Sequence, residues 1–254
     1  MASKNLKAII VKGKGPLPVA DPKALVALSK AGAKELPDNP DVDGLRQHGT
    51  ASVVMPQNAM GTLPTYNYNE GQFTKAEDIS GERMTETILK KGETCYACAV
   101  RCKRVVEISS GEYPADPLYG GPEYETISTF GSYCGIDDLD GVAKLVYWCN
   151  AYGLDTIETG VTIGVAMDSG VLPFGDKAGA INLIHEMGKG TPLGRILGAG
   201  AAVTARAYGK VGGFAHMATL VKKLRASRPH ALLLDGGDTW QGSGTALWTN
   251  GQDM

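Results

Sequence analysis

Apolar side chains recur every three or four residues through most of this chain, the spacing that places them on one face of a helix. Several of these stretches follow a capping residue, as at Asp21, Ser80 and Asp138, and several stop at a glycine such as Gly153. The pattern predicts helices over these approximate ranges: 21–33, 41–55, 80–89, 137–153, 156–169, 176–188, 192–208 and 214–226. We therefore expect a mainly α-helical fold.

Three short apolar runs predict strands instead. Leu6–Val11 stands almost at the start of the chain, and because a lone strand is unstable we expect it to be the last strand of a larger sheet. Val105–Ile108 is a second short strand. Residues 231–235, followed by two glycines and Asp238, form a pattern typical of α/β enzymes. These elements predict a short N-terminal strand and a short α/β tail around the helical part.

Composition restricts the classes of function. The chain has 254 residues, of which 43% are hydrophobic, enough for a substantial core. Its formal net charge is -2, and lysines and arginines are spread evenly, which argues against nucleic acid as a partner. No apolar run approaches the roughly 18 residues of a membrane span, and the first residues lack the apolar centre of a secretion signal. We expect a cytoplasmic protein with no membrane partner.

Three of the five cysteines stand close together, as Cys95, Cys98 and Cys102. This Cx2Cx3C run offers three thiolate ligands on one loop, which favours an iron–sulfur cluster. A radical enzyme would show the reverse spacing, and covalent haem would need histidine where Ala99 stands. Zinc would require a fourth ligand that does not follow at finger spacing, but zinc, a redox dithiol and packed thiols remain open alternatives.

Two other segments carry residues that could take part in chemistry. Tyr124 and Glu125 follow a Gly-Gly-Pro turn, where a carboxylate could accept a proton, although a turn with solvated acids is the simpler interpretation of these residues alone. The stretch from Asn150 to Asp155 is, by itself, a helix end. The remaining cysteines, Cys134 and Cys149, are expected to be packed thiols, and His185 is given no role.

Taken together, these segments resemble the aldehyde ferredoxin oxidoreductase family of tungsten enzymes. The resembling stretches are Ser3–Ala8, Gly92–Cys95, Gly121–Thr126, Gly135–Asp138 and Asn150–Thr156. The resemblance implies that Cys95, Cys98 and Cys102 are the first three ligands of a [4Fe-4S] cluster. It also implies that Tyr124 and Glu125 lie beside the tungsten, with Glu125 as proton acceptor.

The same resemblance assigns Asn150, Gly153, Leu154 and Asp155 to the family's pterin-contact motif, with Asn150 in place of its first acid. It implies oxidation of an aldehyde substrate to a carboxylic acid at a tungsten, or molybdenum, bis-pterin centre. Electrons would pass singly through the cluster to ferredoxin, and a homodimer is compatible with the family.

The resemblance also implies that part of the family's enzyme lies outside this chain. A β domain would precede Ser3, and the fourth cluster cysteine would belong to a C-terminal helical domain. We expect this chain to be an incomplete form that binds a cluster weakly and does not retain tungstopterin. A non-catalytic iron–sulfur fragment is the alternative.

The last segment is similar to a different family, the sulfate thiol hydrolases of bacterial sulfur oxidation, which are related to 5′-nucleotidases. The resembling stretches are Tyr208–Met217, Leu232–Ser243 and Trp248. The change from the aldehyde ferredoxin oxidoreductase resemblance to this one falls between about residues 200 and 210. It implies that Asp238 bridges two metal ions, which makes a dimetal hydrolase an alternative function. The other ligands are missing, so a turn residue is the simpler interpretation of Asp238. The expected domains are therefore residues 1–20, 21–205 and 206–254.

Overall fold

The computed structural model describes residues 8–15 and 18–209. Within these residues, ten α-helices accompany one two-stranded antiparallel sheet. The helices are α1 (Pro22–Glu35), α2 (Pro40–His48), α3 (Val54–Met60), α4 (Gly81–Thr87), α5 (Tyr124–Phe130), α6 (Leu139–Tyr152), α7 (Thr156–Asp168), α8 (Lys177–Lys189), α9 (Pro192–Leu197) and α10 (Ala201–Ala207). The strands are β1 (Leu89–Glu93) and β2 (Lys103–Val106). The prediction of a mainly α-helical protein is confirmed.

The predicted helix caps are present. The Asp21 carboxylate accepts hydrogen bonds from the backbone N–H groups of Lys23 and Ala24 at the start of α1. Ser80 and Asp138 cap α4 and α6 in the same way. These side chains satisfy N–H groups that have no partner inside the helix, so local sequence alone determines where these helices begin.

Three predicted helices differ from the structure. The range 41–55 is divided by a 3₁₀ turn at Gly49–Val53, and 192–208 is divided into α9 and α10 before Gly200. Gly49 and Gly200 have φ angles of 70° and 96°, which a continuous right-handed helix does not allow. Leu89, predicted to be helical, begins β1, because pairing with β2 replaces the helical hydrogen bonds.

The predicted N-terminal strand is not formed in its described part. Residues 8–11 have no strand pairing, and Ile10 is 92% exposed. A strand needs a neighbour to satisfy its backbone groups, and none lies beside these residues in the described chain. Their assignment to a separate β domain stays a prediction. The predicted helix 214–226, the strand 231–235 and Asp238 lie outside the described residues.

A large part of the core of the described chain lies between α5, α6, α7 and α8, where two helix starts come next to each other. Phe130, Leu145, Ile163 and Ile184 are completely buried there. Helices α5 and α7 approach so closely that a Cβ atom added at Gly160 would lie 2.6 Å from the Thr129 hydroxyl oxygen. This close crossing brings the first turn of α5 to the first turn of α7.

Candidate cluster loop and catalytic face

The two strands form a hairpin whose connection carries the three clustered cysteines. Glu93 pairs with Lys103 in the last register position, so residues 94–102, here called the cysteine loop, extend from the end of the sheet. The Lys103 ammonium lies 3.4 Å from a carboxylate oxygen of Glu93 and closes the same end. The sheet therefore holds both ends of the loop.

The cysteine loop turns twice through the left-handed backbone region. Ala97 has a φ angle of 56° and Arg101 one of 63°, so one such residue stands in each interval between cysteines. The backbone N–H of Cys98 donates to the carbonyl oxygen of Cys95 at 3.1 Å, and the Thr94 hydroxyl donates to the Cys98 carbonyl oxygen at 2.7 Å. Left-handed conformations of non-glycine residues are strained and concentrate at functional sites.

The environments of the three thiols differ. Cys95 and Cys98 are exposed, and Cys102 is partly buried. Hydrogen bonds from the backbone N–H groups of Val100 and Arg101 lower the pKa of the Cys98 thiol. Burial, and secondarily the Glu123 carboxylate, raises the pKa of the Cys102 thiol. Successive N–H groups that end at a left-handed residue form a concave anion site of the kind that also surrounds iron–sulfur clusters.

The three clustered thiols do not form a site for a single metal ion in the described structure. In residues 8–15 and 18–209, no three His, Cys, Asp or Glu side chains are grouped so that they could hold one metal ion. In a cubane cluster each thiolate binds a different iron, so the thiols need not converge on one point. All three thiols are free, and the N–H donors at Cys98 suit a thiolate ligand. Their role as ligands stays a proposal.

Tyr124 and Glu125 form the first turn of α5, directly after a segment that lies along β2. The backbone N–H of Val106 donates to the carbonyl oxygen of Gly120 at 3.2 Å, which fixes this segment to the strand. The Thr50 hydroxyl oxygen then accepts from the Tyr124 N–H at 2.9 Å. The catalytic pair of the sequence prediction is therefore held against the base of the hairpin.

The two side chains of this pair have different environments. Glu125 is exposed, whereas Tyr124 is partly buried and packs against the core. Burial, and secondarily the Glu125 carboxylate, raises the pKa of the Tyr124 phenol. The phenol thus stays protonated at neutral pH and can donate a hydrogen bond. A proton acceptor and a proton donor stand side by side.

The residues from Asn150 to Asp155, here called the motif turn, comprise the last three residues of α6 and the short connection to α7. Asn150 is exposed, and its side-chain amide donates to the Val146 carbonyl oxygen at 3.1 Å. Gly153 ends α6 with a φ angle of 72°. The Asp155 carboxylate accepts from the Glu158 N–H at 2.7 Å and so caps α7. Leu154 packs against the core.

A pair of hydroxyl groups joins these two segments. The Thr126 and Thr156 hydroxyl oxygens lie 2.8 Å apart, one residue after Glu125 and one residue after Asp155. The structure therefore brings the predicted catalytic pair and the motif turn together. The Glu123 carboxylate, one residue before α5, is near enough to the Cys102 thiol to contribute to its raised pKa.

Sequence reasoning missed one unusual turn near this region. Tyr66, Asn67 and Tyr68 are three successive residues in the left-handed region, with φ angles of 47°, 54° and 61°. The turn is held by hydrogen bonds from the Tyr66 and Asn67 N–H groups to the carbonyl oxygens of Ser132 and Tyr133. The Tyr68 phenol is near enough to Tyr124 to contribute to its raised pKa. No local signal predicts such a turn, because tertiary hydrogen bonds impose it.

Of the residues assigned no chemistry, two cysteines lie inside the core and His185 lies beside Tyr152 of the motif turn. Cys134 and Cys149 are buried, as predicted, and burial raises the pKa of the Cys149 thiol to about 12. The His185 ring Nδ1 lies 2.9 Å from the Tyr152 hydroxyl oxygen in an aromatic group that also contains Trp148. None of the described helices is both long and apolar enough to cross a membrane.

The sequence of the chain matches the family model described as aldehyde ferredoxin oxidoreductase, domains 2 and 3, over residues 27–233. The chain belongs to the aldehyde ferredoxin oxidoreductase family. The family match extends past the predicted change of resemblance at about 200–210. The similarity of the tail to sulfate thiol hydrolases stays a prediction.

Individual relatives of this family agree with the match. The tungsten-containing aldehyde ferredoxin oxidoreductases of Thermococcus kodakarensis and Pyrococcus furiosus are 38% and 36% identical to the chain over 169 residues, which is 66% of this chain. The chain spans 27% of the length of each. The aliphatic sulfonate oxidoreductase, WOR-like subunit, of Pyrococcus furiosus is 30% identical over 215 residues, 79% of this chain and 34% of the relative.

Proposed function

We propose that this chain provides the cluster-binding and pterin-contacting part of a tungsten-dependent oxidoreductase that converts aldehydes to carboxylic acids. The main support is the arrangement of Tyr124 and Glu125 next to the motif turn through the Thr126–Thr156 hydrogen bond. The Cys102 thiol at the end of the cysteine loop is close enough to Glu123, the residue before α5, for that carboxylate to influence its pKa. The names of the aldehyde-oxidising relatives supply the substrate class.

The reaction converts an aldehyde and water into a carboxylic acid, two protons and two electrons. The tungsten-pterin group, when bound, accepts the electron pair. Glu125, whose carboxylate is exposed at the start of α5, accepts a proton from the attacking water. Tyr124 keeps its own proton and orients the substrate oxygen by donating a hydrogen bond.

The motif turn would hold the pterin through polar groups that its own fold leaves available. The Asn150 amide N–H is bonded to Val146, which leaves the Asn150 side-chain oxygen as an acceptor. Asp155 uses one carboxylate oxygen as a helix cap and can accept from the pterin with the other. The neutral Asn150 removes one negative charge relative to the family's motif, but it retains the ability to hydrogen bond.

Cys95, Cys98 and Cys102 would hold the [4Fe-4S] cluster, which carries the electrons one at a time to ferredoxin. The hydrogen bonds that lower the pKa of Cys98 favour the thiolate form required for ligation. A site with three cysteines leaves one iron to another ligand, so we expect the isolated chain to hold the cluster weakly.

The name of one relative favours a second substrate class. The aliphatic sulfonate oxidoreductase matches a larger share of the chain than the aldehyde relatives do, although at lower identity. We propose aldehydes as the substrates because the sequence identity of the chain to the aldehyde ferredoxin oxidoreductases is higher than its identity to the sulfonate oxidoreductase.

The test uses the full chain, purified without oxygen and combined with a family N-terminal domain and tungstopterin. Iron and sulfide are determined first, then tungsten, and then reduction of a viologen dye with acetaldehyde or ethanesulfonate. Iron uptake with acetaldehyde-dependent dye reduction supports the proposal. Ethanesulfonate-dependent reduction alone would replace the substrate class, and a chain that takes up neither iron nor tungsten would contradict the proposal.

A further inference from the structure

Arg104 is a buried cation two residues after the last clustered cysteine. Its side chain is 5% exposed. One terminal nitrogen donates to the carbonyl oxygens of Arg46 and Gln47, both at 2.9 Å, and the other donates to the carbonyl oxygen of Arg101 at 2.5 Å. A single guanidinium therefore connects the last turn of α2 with the cysteine loop.

Two glycines leave the space through which this side chain passes. A Cβ atom at Gly49 would lie 2.7 Å from the Arg104 Cγ and 2.7 Å from the Cys102 carbonyl oxygen. A Cβ atom at Gly92 would lie 2.9 Å from the Arg104 Nη2. Gly49 also has a φ angle of 70°, which side chains disfavour. The backbone around Arg104 is thus shaped to admit a long, flat side chain.

The charge of Arg104 lies in an unusual environment. Its bonded neighbours are carbonyl oxygens, and its Nε is buried without a hydrogen-bond partner in the described chain. A buried cation is costly unless negative charge compensates it, and the thiol side of the loop is where such charge would form.

We propose that Arg104 is the positioning residue that fastens the cysteine loop to helix α2 and places a positive charge beside the cluster bound by that loop. The placement of a charge beside the cluster rests on the proposed function, whereas the fastening of the loop does not. Fastening follows from the bidentate geometry of the guanidinium, which a lysine cannot reproduce. The effect on the cluster follows from the charge, which a lysine keeps.

The first experiment measures hydrogen exchange of the metal-free full chain by mass spectrometry. The variants are Arg104→Gln and Arg104→Lys, and the matched control is Lys90→Gln, which removes a positive charge from the same hairpin at the end away from the cysteine loop, where the Lys90 side chain is 42% exposed. We expect exchange in the cysteine loop to become about tenfold faster in both Arg104 variants, while α6, α7 and the control are unchanged. Equal acceleration in α6 and α7 would indicate general destabilisation and overturn the fastening role, as would an unchanged loop.

The second experiment reconstitutes each chain with ferrous iron and sulfide and measures the midpoint potential of the cluster. Loss of the positive charge disfavours the reduced, more negative cluster, so Arg104→Gln should shift the one-electron equilibrium about tenfold, or about 59 mV, toward the oxidised form. Arg104→Lys should stay near the unaltered value despite its loosened loop. An unchanged potential in Arg104→Gln would overturn the charge role.

The two experiments separate this inference from the proposed function. If the unaltered chain takes up no iron while Arg104→Gln still loosens the loop, the cluster proposal and the charge role fail and the fastening role is supported. If iron is taken up and Arg104→Gln changes neither the loop nor the potential, the inference fails and the cluster proposal stands.

Discussion

The hydroxyl oxygens of Thr126 and Thr156 lie 2.8 Å apart and join the first turns of α5 and α7. Each stands one residue after a predicted site residue, Glu125 or Asp155. The two positions are 30 residues apart in sequence. This hydrogen bond therefore holds the start of α5, which carries the proposed proton acceptor, beside the start of α7, which follows the proposed pterin contact.

Replacing both Thr126 and Thr156 by valine should lower the free energy of unfolding by less than the sum of the two single replacements. Thr126→Val or Thr156→Val leaves the other hydroxyl without its partner in a partly buried place, at a cost of about 1–3 kcal/mol. The double variant leaves no orphaned hydroxyl, so its loss should fall below the sum of the single losses by about 1 kcal/mol. Urea unfolding measures all three. Strict additivity would show that the two hydroxyl groups do not interact, and the exposed Thr87→Val provides a near-neutral control.

Cys98→Ala should abolish the visible absorbance of the reconstituted cluster, because a thiolate ligand is lost from a site with three cysteines. Cys134→Ala should keep it, since that thiol is buried in the core and donates to the Thr129 carbonyl oxygen. Iron content and the absorption spectrum after anaerobic reconstitution measure both effects. Cluster absorbance retained in Cys98→Ala would exclude Cys98 as a ligand.

The thiols of the metal-free loop should react with iodoacetamide at different pH values. The thiolate is the reactive form, so a lowered pKa shifts the rise in rate to lower pH. The midpoint for Cys98 should therefore lie below 9.0 and that for Cys102 above it. The chain is alkylated at a series of pH values from about 6 to about 11, roughly the range in which thiols titrate. Peptide mass spectrometry then measures the alkylation of Cys98 and Cys102 separately. Coincident or reversed midpoints would contradict the N–H environment of Cys98.

Gly160→Ala should destabilise the chain by about 1–3 kcal/mol because it forces α5 and α7 apart. The added methyl group would lie 2.6 Å from the Thr129 hydroxyl oxygen and 2.7 Å from its Cβ. Gly32→Ala in α1 is the matched control, since nothing lies within 4 Å of its added methyl group. The control should cause no loss of stability in urea unfolding. A Gly160→Ala variant as stable as the parent would show that the two helices can separate freely.

Glu125→Gln should leave iron binding intact and reduce aldehyde-dependent dye reduction by about 10²- to 10⁴-fold in the reassembled enzyme. The amide keeps the size of the side chain but cannot accept the proton. Glu112→Gln, an exposed change before the catalytic turn, should leave turnover unchanged. Equal rates in Glu125→Gln and the parent would exclude this carboxylate as the base.

Local patterns predicted the parts of the fold whose hydrogen bonds close within a few residues. Asp21, Ser80 and Asp138 cap helices through N–H groups two or three residues away, so their positions follow from the sequence. Strand β1 was missed because its pairing partner follows only after the cysteine loop. The division of 192–208 into two helices was missed because this alanine- and glycine-rich stretch has helical periodicity throughout. The helix is interrupted near Gly200, whose positive φ angle a sequence pattern does not reveal.

The amino-acid sequence by itself determined the mainly helical class, the caps and the spacing of the three clustered cysteines, because each depends on residues that are neighbours along the chain. Only the tertiary structure decided that the start of α7 lies beside the first turn of α5, that Arg104 bonds to the end of α2 and that three successive residues at Tyr66–Tyr68 are left-handed. Contacts across 30 or more residues depend on how whole helices pack. A sequence pattern that repeats every three or four residues contains no information on which helix will be the neighbour.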